Sequence, residues 1–232
     1  MKIKTTDSFG WSGLAWHHTM WKSKLINQII KRKRMKILEL GAGPFSQVAF
    51  EFDTTSSEIT IGIHSPSDVE KIRDKIMRMK SIYPLKSKYN VSQIDAFAVE
   101  KKYDVIIMKS VLGGIFRDDI SSVDDFCCSL ANNNLNKGGI LITVDNGRSV
   151  FEPFLQYYGA RKNNWHYMRM GELAGAQEQV AFGFFSCFAL SNRLSVLGWS
   201  VEVFLYLLDW GINLIIRFNP TVICSVYQAI KK

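Results

Sequence analysis

The sequence is poor in the residues that mark special architectures. Five prolines and 16 glycines in 232 residues exclude a collagen-like repeat or a disordered low-complexity chain. The four cysteines (Cys127, Cys128, Cys187 and Cys224) show no C-x-x-C spacing, and only four histidines accompany them. That argues against a structural zinc site and for reduced, buried thiols in a cytoplasmic setting. Lysines open the chain, but no apolar stretch follows them in the first 18 residues, so no secretory signal is expected. No uncharged apolar run reaches the roughly 18 residues of a membrane span. The nearest, Leu194 to Phe218, is interrupted by Glu202, Asp209 and Arg217 and holds Gly198 and Gly211. It reads as core elements, with shallow contact on a membrane surface as the alternative.

What is present is an ordinary globular composition, 47% hydrophobic and 22% charged. It supplies a core large enough for one decorated domain that needs no metal or disulfide. Charge is one-sided: 29 Lys and Arg against 21 Asp and Glu give +8. The excess favours anionic partners. It gathers at Lys31-Arg32-Lys33-Arg34 with Lys36, and from Lys71 through Arg73, Lys75, Arg78 and Lys80 to Lys86 and Lys88. Neither run is interleaved with aromatics, so a solvated helix face is preferred to a nucleic-acid footprint.

Strand and helix patterns alternate, which points to an α/β sheet with helices on both faces. Trp21, Leu25 and Ile29 form one apolar helical stripe over residues 14–30. Apolar strands are expected at Met35 to Leu40, Ile59 to Ile63, Val91 to Ile94, Tyr103 to Met108 and Ile140 to Val144. Leu135 to Gly139 reads as a turn. Ser65, followed by Pro66, Asp68 and Glu70, is set to cap a helix whose buried stripe is Val69, Ile72, Ile76 and Met79. Periodicity fades from Arg148 to Asn192. Gly198-Trp199 then reads as a turn, and Val201 to Leu207 and Val222 to Ala229 as two final antiparallel strands around a helical excursion from Trp210 to Arg217.

Ile37-Leu-Glu-Leu-Gly-Ala-Gly-Pro44 resembles the first motif of class I S-adenosylmethionine-dependent methyltransferases. Later landmarks fall in that family's order: a strand end at His64, Asp95-Ala96, the Tyr103 strand leading to Val111-Leu-Gly-Gly-Ile115, and the Asn136-Lys-Gly-Gly turn. The resemblance covers residues 35–146 well. It implies a Rossmann-like three-layer sandwich, with a mostly parallel seven-stranded sheet and a C-terminal antiparallel hairpin. Residues 1–34 would be an N-terminal helical arm or lid. Residues 35–232 would be the methyltransferase domain, with an acceptor-binding insertion near residues 148–192. A nicotinamide-binding domain is the rival. It wants a third glycine, and the run after Gly43, Pro44 then Phe45, does not meet the G-x-G-x-x-G pattern; it also wants an acidic residue after the second strand.

The resemblance implies S-adenosylmethionine as cofactor, held by Glu39, Gly41, Ala42, Gly43, His64, Ser65, Asp95 and Ala96. Glu39 would contact the methionine amine or order the glycine loop. Gly41 and Gly43 would let the backbone approach the ligand, and the loop would open a helix with free amides for its carboxylate. Asp95 would take the adenine amino group, with Ala96 as a backbone donor. His64 stands where the family has an acid for the ribose, so Ser65 would share that task. Lys109, Asp145 and Tyr167 are assigned to substrate contact and His166 to general-base catalysis, with His17 and His18 as other bases. No metal is expected, because Met108-Lys109-Ser110 puts a lysine where catechol-type relatives place an aspartate ligand. The expected reaction is O-methylation of a small molecule or sugar, with an anionic acceptor suiting the charge. The alternatives are an RNA methyltransferase or RNA-binding module using the basic runs, and a non-catalytic relative acting as an interaction protein.

Overall fold

The computed structural model describes residues 8–10, 13–44, 46–54, 57–157, 165–188, 196–213 and 220–229. Seven strands form one sheet: β1 (Lys36–Leu40), β2 (Glu58–Ile63), β3 (Lys88–Gln93), β4 (Tyr103–Lys109), β5 (Leu135–Asn146), β6 (Glu178–Phe182) and β7 (Val222–Gln228). Their order is β3-β2-β1-β4-β5-β7-β6. The pairs from β3 through β5 are parallel, while β7 runs antiparallel to both β5 and β6. The expected Rossmann-like sandwich is therefore present. The order in which strands are added reverses between β1 and β4, so the connections leaving their carboxyl ends run to opposite sides and leave a crevice there.

Side-chain alternation assigns each central strand to two layers. Ile37, Ile59, Ile61, Val105 and Ile107 face one layer, where they meet Trp16, Met20, Ile26, Ile72 and Met79. These come from α1 (Gly13–Trp21), α2 (Lys24–Ile29) and α3 (Val69–Ile82). Leu38, Leu40, Ile106, Met108 and Leu141 face the other layer. There they meet Leu112 of α4 (Leu112–Ile115) and Val123, Cys127 and Leu130 of α5 (Val123–Asn134). With both faces covered, β1 and β4 read as nearly unbroken apolar runs. Each buried Ile or Leu contributes about 1.5–3 kcal/mol.

Several local expectations change. The single stripe at residues 14–30 is two helices, because Ser23 interrupts it. Ser23 accepts the Ile26 amide as the cap of α2 and donates to Glu178 on β6. Ser65 does not cap its helix by side chain; its hydroxyl pairs with Ser67. Leu135 to Gly139 belongs to β5 rather than to a turn, with a register irregularity opposite Tyr103–Val105 and a positive φ at Gly138. The glycine loop does not open an α-helix. It leads to a 3-10 turn, Val48–Phe52, in which Val48, Ala49, Phe50 and Phe52 are all buried. A five-residue segment with four apolar side chains and only Glu51 charged gains more by sinking those four into the core than by presenting one helical face.

The largest correction concerns the C-terminal third. Val201 to Leu207 is not a strand and Gly198-Trp199 is not a turn. Both lie inside helix α7 (Val196–Ile212), and β6 supplies the hairpin partner of β7. The alternating pattern misled because its two acids carry the inward contacts. Asp209 is fully buried and accepts the amides of Phe185 and Ser186 at 2.6 and 2.9 Å, as well as the Ser186 hydroxyl. Glu202 is buried as well and accepts the Leu14 amide at 2.7 Å. The excursion from Trp210 is helical as far as Ile212, and most of its remainder lies outside the described residues.

Asp209→Ala leaves those two amides and the hydroxyl without their acceptor. It should lower stability by about 2–4 kcal/mol in urea unfolding. An unchanged midpoint would mean that α7 is not anchored through this carboxylate.

Candidate functional site

The crevice at the sheet's carboxyl edge is a cleft of about 690 Å³. It is lined from β1 by Gly41, from β2 by His64, and from β3 and the turn after it by Gln93, Ile94, Asp95, Ala96 and Phe97. Ser110, Val111, Gly114 and Ile115 close it after β4, and Trp165 completes the wall. Four of the eight residues assigned to cofactor contact, Gly41, His64, Asp95 and Ala96, are thus brought together from three separate turns.

Gly41 is positioned by a backbone constraint. Its φ is +68°, and a Cβ there would come within 2.6 Å of Val111 Cγ2. Only glycine permits both the turn and the contact. The next residue, Ala42, is tied to β2 through its amide and the Gly62 carbonyl at 3.1 Å. Gly43 accepts the Gln47 side chain at 2.5 Å. Phe45 lies outside the described residues. Ser110 also has a positive φ, +52°, as β4 gives way to the cleft. Its amide donates to Val144 and its hydroxyl accepts from Asn146. Strained backbone of this kind persists where neighbouring contacts over-determine it.

Asp95 caps its own turn: Oδ1 accepts the Phe97 amide at 2.9 Å, which orients the carboxylate. His64 is exposed at the end of β2, and its carbonyl accepts from Gln93 Nε2 at 3.3 Å. Ser65 does not line the cleft among the described residues; its hydroxyl is engaged by Ser67.

Glu39 points away from the cleft into the apolar layer. It accepts the Val48 and Ala49 amides at 3.0 and 2.9 Å and so orders the segment after the glycine loop. These are the amides that the loop was expected to offer to a carboxylate. Burial raises the Glu39 carboxyl from 4.5 to about 7, against the opposing pull of the two amides and of Lys109 and Lys75. Lys109 projects into the same layer, its ammonium 4.4 Å from the centre of the Trp16 ring. Desolvation lowers Lys109 from 10.5 to about 8, with Glu39 and Asp145 acting in the opposite direction.

Asp145 faces the other layer and is buried beneath α4. Neither carboxylate oxygen has a partner in hydrogen-bond geometry, and burial lifts its pKa from 3.8 to about 7. The structure places it under the cleft wall rather than on the cleft surface. His166 Nε2 lies 2.9 Å from Glu172 Oε2, and the His166 amide donates to the Gly113 carbonyl at 2.9 Å. Tyr167 is half-buried between that contact and the parallel bridge of Gly147 with Met168. Of the other histidines, His17 pairs with Glu51 at 3.7 Å. His18 is lowered to about 4 by burial and by Lys22.

Trp165, Gln93 and Phe97 are site residues that motif reasoning missed. One signal was available for Trp165. A Cβ on Gly113 or Gly114 would meet its ring at 2.5–2.6 Å, so the Gly-Gly pair marks a close aromatic approach.

Comparison with known proteins gives a fold. No protein-family model and no curated protein sequence matches the chain. Among solved structures, a putative sarcosine dimethylglycine methyltransferase from Galdieria sulphuraria aligns over 95% of this chain and 86% of its own, with TM-score 0.56 and 12% identity. A SAM-dependent methyltransferase from Methanosarcina mazei aligns over 90% and 99%, with TM-score 0.55 and 11% identity. The magnesium protoporphyrin IX methyltransferase of Synechocystis with bound SAH aligns over 94% and 82%, with TM-score 0.52 and 11% identity. The chain has the fold of these methyltransferases.

Two predictions follow from the geometry. Gly41→Ala should cost at least about 1–2 kcal/mol from its φ alone. Adding Val111→Ala should recover the steric part, measured as non-additivity in a double-mutant cycle. Glu39 and Asp145 bind protons more tightly folded than unfolded. Their stabilising effect is complete below about pH 4 and is lost as pH rises through about 7. Asp145→Asn should therefore raise the urea midpoint at pH 8 and flatten its decline between pH 5 and pH 8. A variant with the wild-type slope would exclude Asp145 as a source of that decline.

Proposed function

We propose that the chain is an S-adenosylmethionine-dependent methyltransferase whose cofactor nucleoside lies in the cleft between Gly41 and Trp165. The observation that carries the reading is the convergence of Gly41, His64, Asp95, Ala96 and Val111 on one crevice at the sheet's switch point. The fold comparison supports it. The residues fit a nucleoside: the bare Cα of Gly41 leaves room at the floor, Val111 and Ile115 offer apolar contact to a base, and the Asp95 carboxylate, steadied by the Phe97 amide, would accept its amino group. His64 and Gln93 stand together at the rim, where they would share the ribose hydroxyls. A neutral imidazole and an amide replace the charge-assisted pair of an acid, so this contact is weaker.

The cofactor supplies an activated methyl group on a positively charged sulfur. The chain's part is to align the acceptor and exclude water. Trp165, laid on Gly113 and Gly114, would cover the cleft on the acceptor side. The acceptor is a hydroxyl of a small molecule or sugar, and His166 would accept its proton, with Glu172 holding the imidazole. Tyr167 belongs to the acceptor side of this reading, whereas Lys109 is turned toward Trp16 in the layer of Glu39 and would act on the site only through that layer. Asp145 would act through the cleft wall beneath which it is buried, and the +8 charge favours an anionic acceptor.

One observation favours a second reading, a nucleoside-binding relative without catalysis. Glu39 takes the Val48 and Ala49 amides that would otherwise be available to the amino-acid tail of the cofactor.

Calorimetry with S-adenosylhomocysteine and with adenosine separates the two. The enzyme reading expects the homocysteine form to bind at least about tenfold more tightly than adenosine, because the tail adds contacts. It expects Asp95→Ala to weaken both by about tenfold or more, and His64→Asp to tighten both. Equal affinity for the two ligands would favour the non-catalytic reading. Absence of binding to either, with the fold intact, would overturn both.

A further inference from the structure

Helix α7 is turned inside out. Its two acids, Glu202 and Asp209, face the protein, where they accept backbone amides of Leu14, Phe185 and Ser186. Tyr206 lies on the same side, hydrogen-bonded to His18 at 2.8 Å and packed against Phe182. At about 100° per residue, the remaining arc carries Trp199, Phe204, Leu207, Leu208 and Trp210. Trp199, Phe204, Leu207 and Trp210 are each more than half exposed. A separate exposed aromatic, Phe154 of α6 (Glu152–Tyr157), packs on Phe188 with ring centroids 6.0 Å apart. Scattered exposed apolar residues are ordinary; a contiguous aromatic surface on one helix is not.

Charge indicates what covers it. From residue 183 to residue 232 the acids are Glu202 and Asp209 alone, both turned inward, against Arg193, Arg217, Lys231 and Lys232. Arg193 lies three residues before α7 in sequence and Arg217 five after it. An outward face of tryptophan, phenylalanine and leucine with no acid on it, bounded in sequence by arginines, suits shallow insertion into a lipid interface, the inward face being covered by the protein itself. A second copy of the chain would bring +8 against +8. An anionic bilayer instead complements the charge. The helix is not long and apolar enough to cross a membrane, so it would lie on it.

We propose that the outward face of α7, from Trp199 to Trp210, docks the protein on an anionic lipid surface. The face is separate from the nucleoside cleft, so this inference stands whether or not the cleft binds a cofactor.

The test is flotation of the full chain with vesicles of phosphatidylcholine alone and of phosphatidylcholine containing 30% phosphatidylglycerol. The wild type should float with the anionic vesicles, with blue-shifted tryptophan emission, and only weakly with the neutral ones. Two paired variants, Trp199→Ser with Phe204→Ser and Leu207→Ser with Trp210→Ser, change exposed side chains only, so their unfolding midpoints should match the wild type. Each pair should reduce vesicle binding by at least about tenfold. Absence of flotation by the wild type would overturn the proposal. So would equal binding to both vesicle types, or undiminished binding by either folded pair. Concentration-dependent self-association that these pairs abolish, without vesicle binding, would assign the face to a second copy instead.

Discussion

One buried carboxylate determines how the cleft is built. Glu39 ends the apolar run of β1 on the side of the sheet where its neighbours are hydrocarbon, and it stays there because two backbone amides meet it. The amides belong to the turn that replaces the first crossover helix. If that carboxylate were absent, the segment after Gly43 would have orphaned donors inside the core and no reason to keep its path. So a carboxyl group that does not line the cleft fixes the path of the chain that leaves its floor.

The same economy appears on the opposite layer. Asp145 lies under α4 with its amides close by but not in bonding geometry, while Lys109 is half-buried across the strand end beside Trp16. Three ionisable groups therefore sit at the ends of three adjacent strands, each shifted toward neutrality by burial. Groups in that condition change charge near neutral pH at modest cost.

Much of the sheet could be read from the chain. β1, β2, β4 and the second half of β5 are apolar runs closed by glycine or by a polar residue; β3 is mostly polar and exposed, and only its end from Val91 was expected. Gly41, Asp95 and the stretch around Val111 carried enough motif to foretell that they meet. The C-terminal third could not be read this way. Its helix keeps acids inside and tryptophans outside, so the usual rule that apolar means buried gives the wrong face and the wrong element. Hydrogen bonds from Phe185, Ser186 and Leu14 decide the matter, and each comes from a segment far away in sequence. Trp165 was missed for a related reason. Its partner is the absence of side chains at Gly113 and Gly114, which periodicity does not record.

The attachment of the segment from Trp165 to Met168 has a consequence for traffic. It is stitched to α4 at one end and to the end of β5 at the other: His166 donates to Gly113, Met168 donates to Asn146, and Arg148 donates back to Met168. A strip held at three points rides with β5 and does not swing aside by itself. Among the described residues, the yielding margin is the far one, where His64, Gln93 and Phe97 stand in solvent. Molecules would come and go past that margin, while the indole side serves as a fixed backstop.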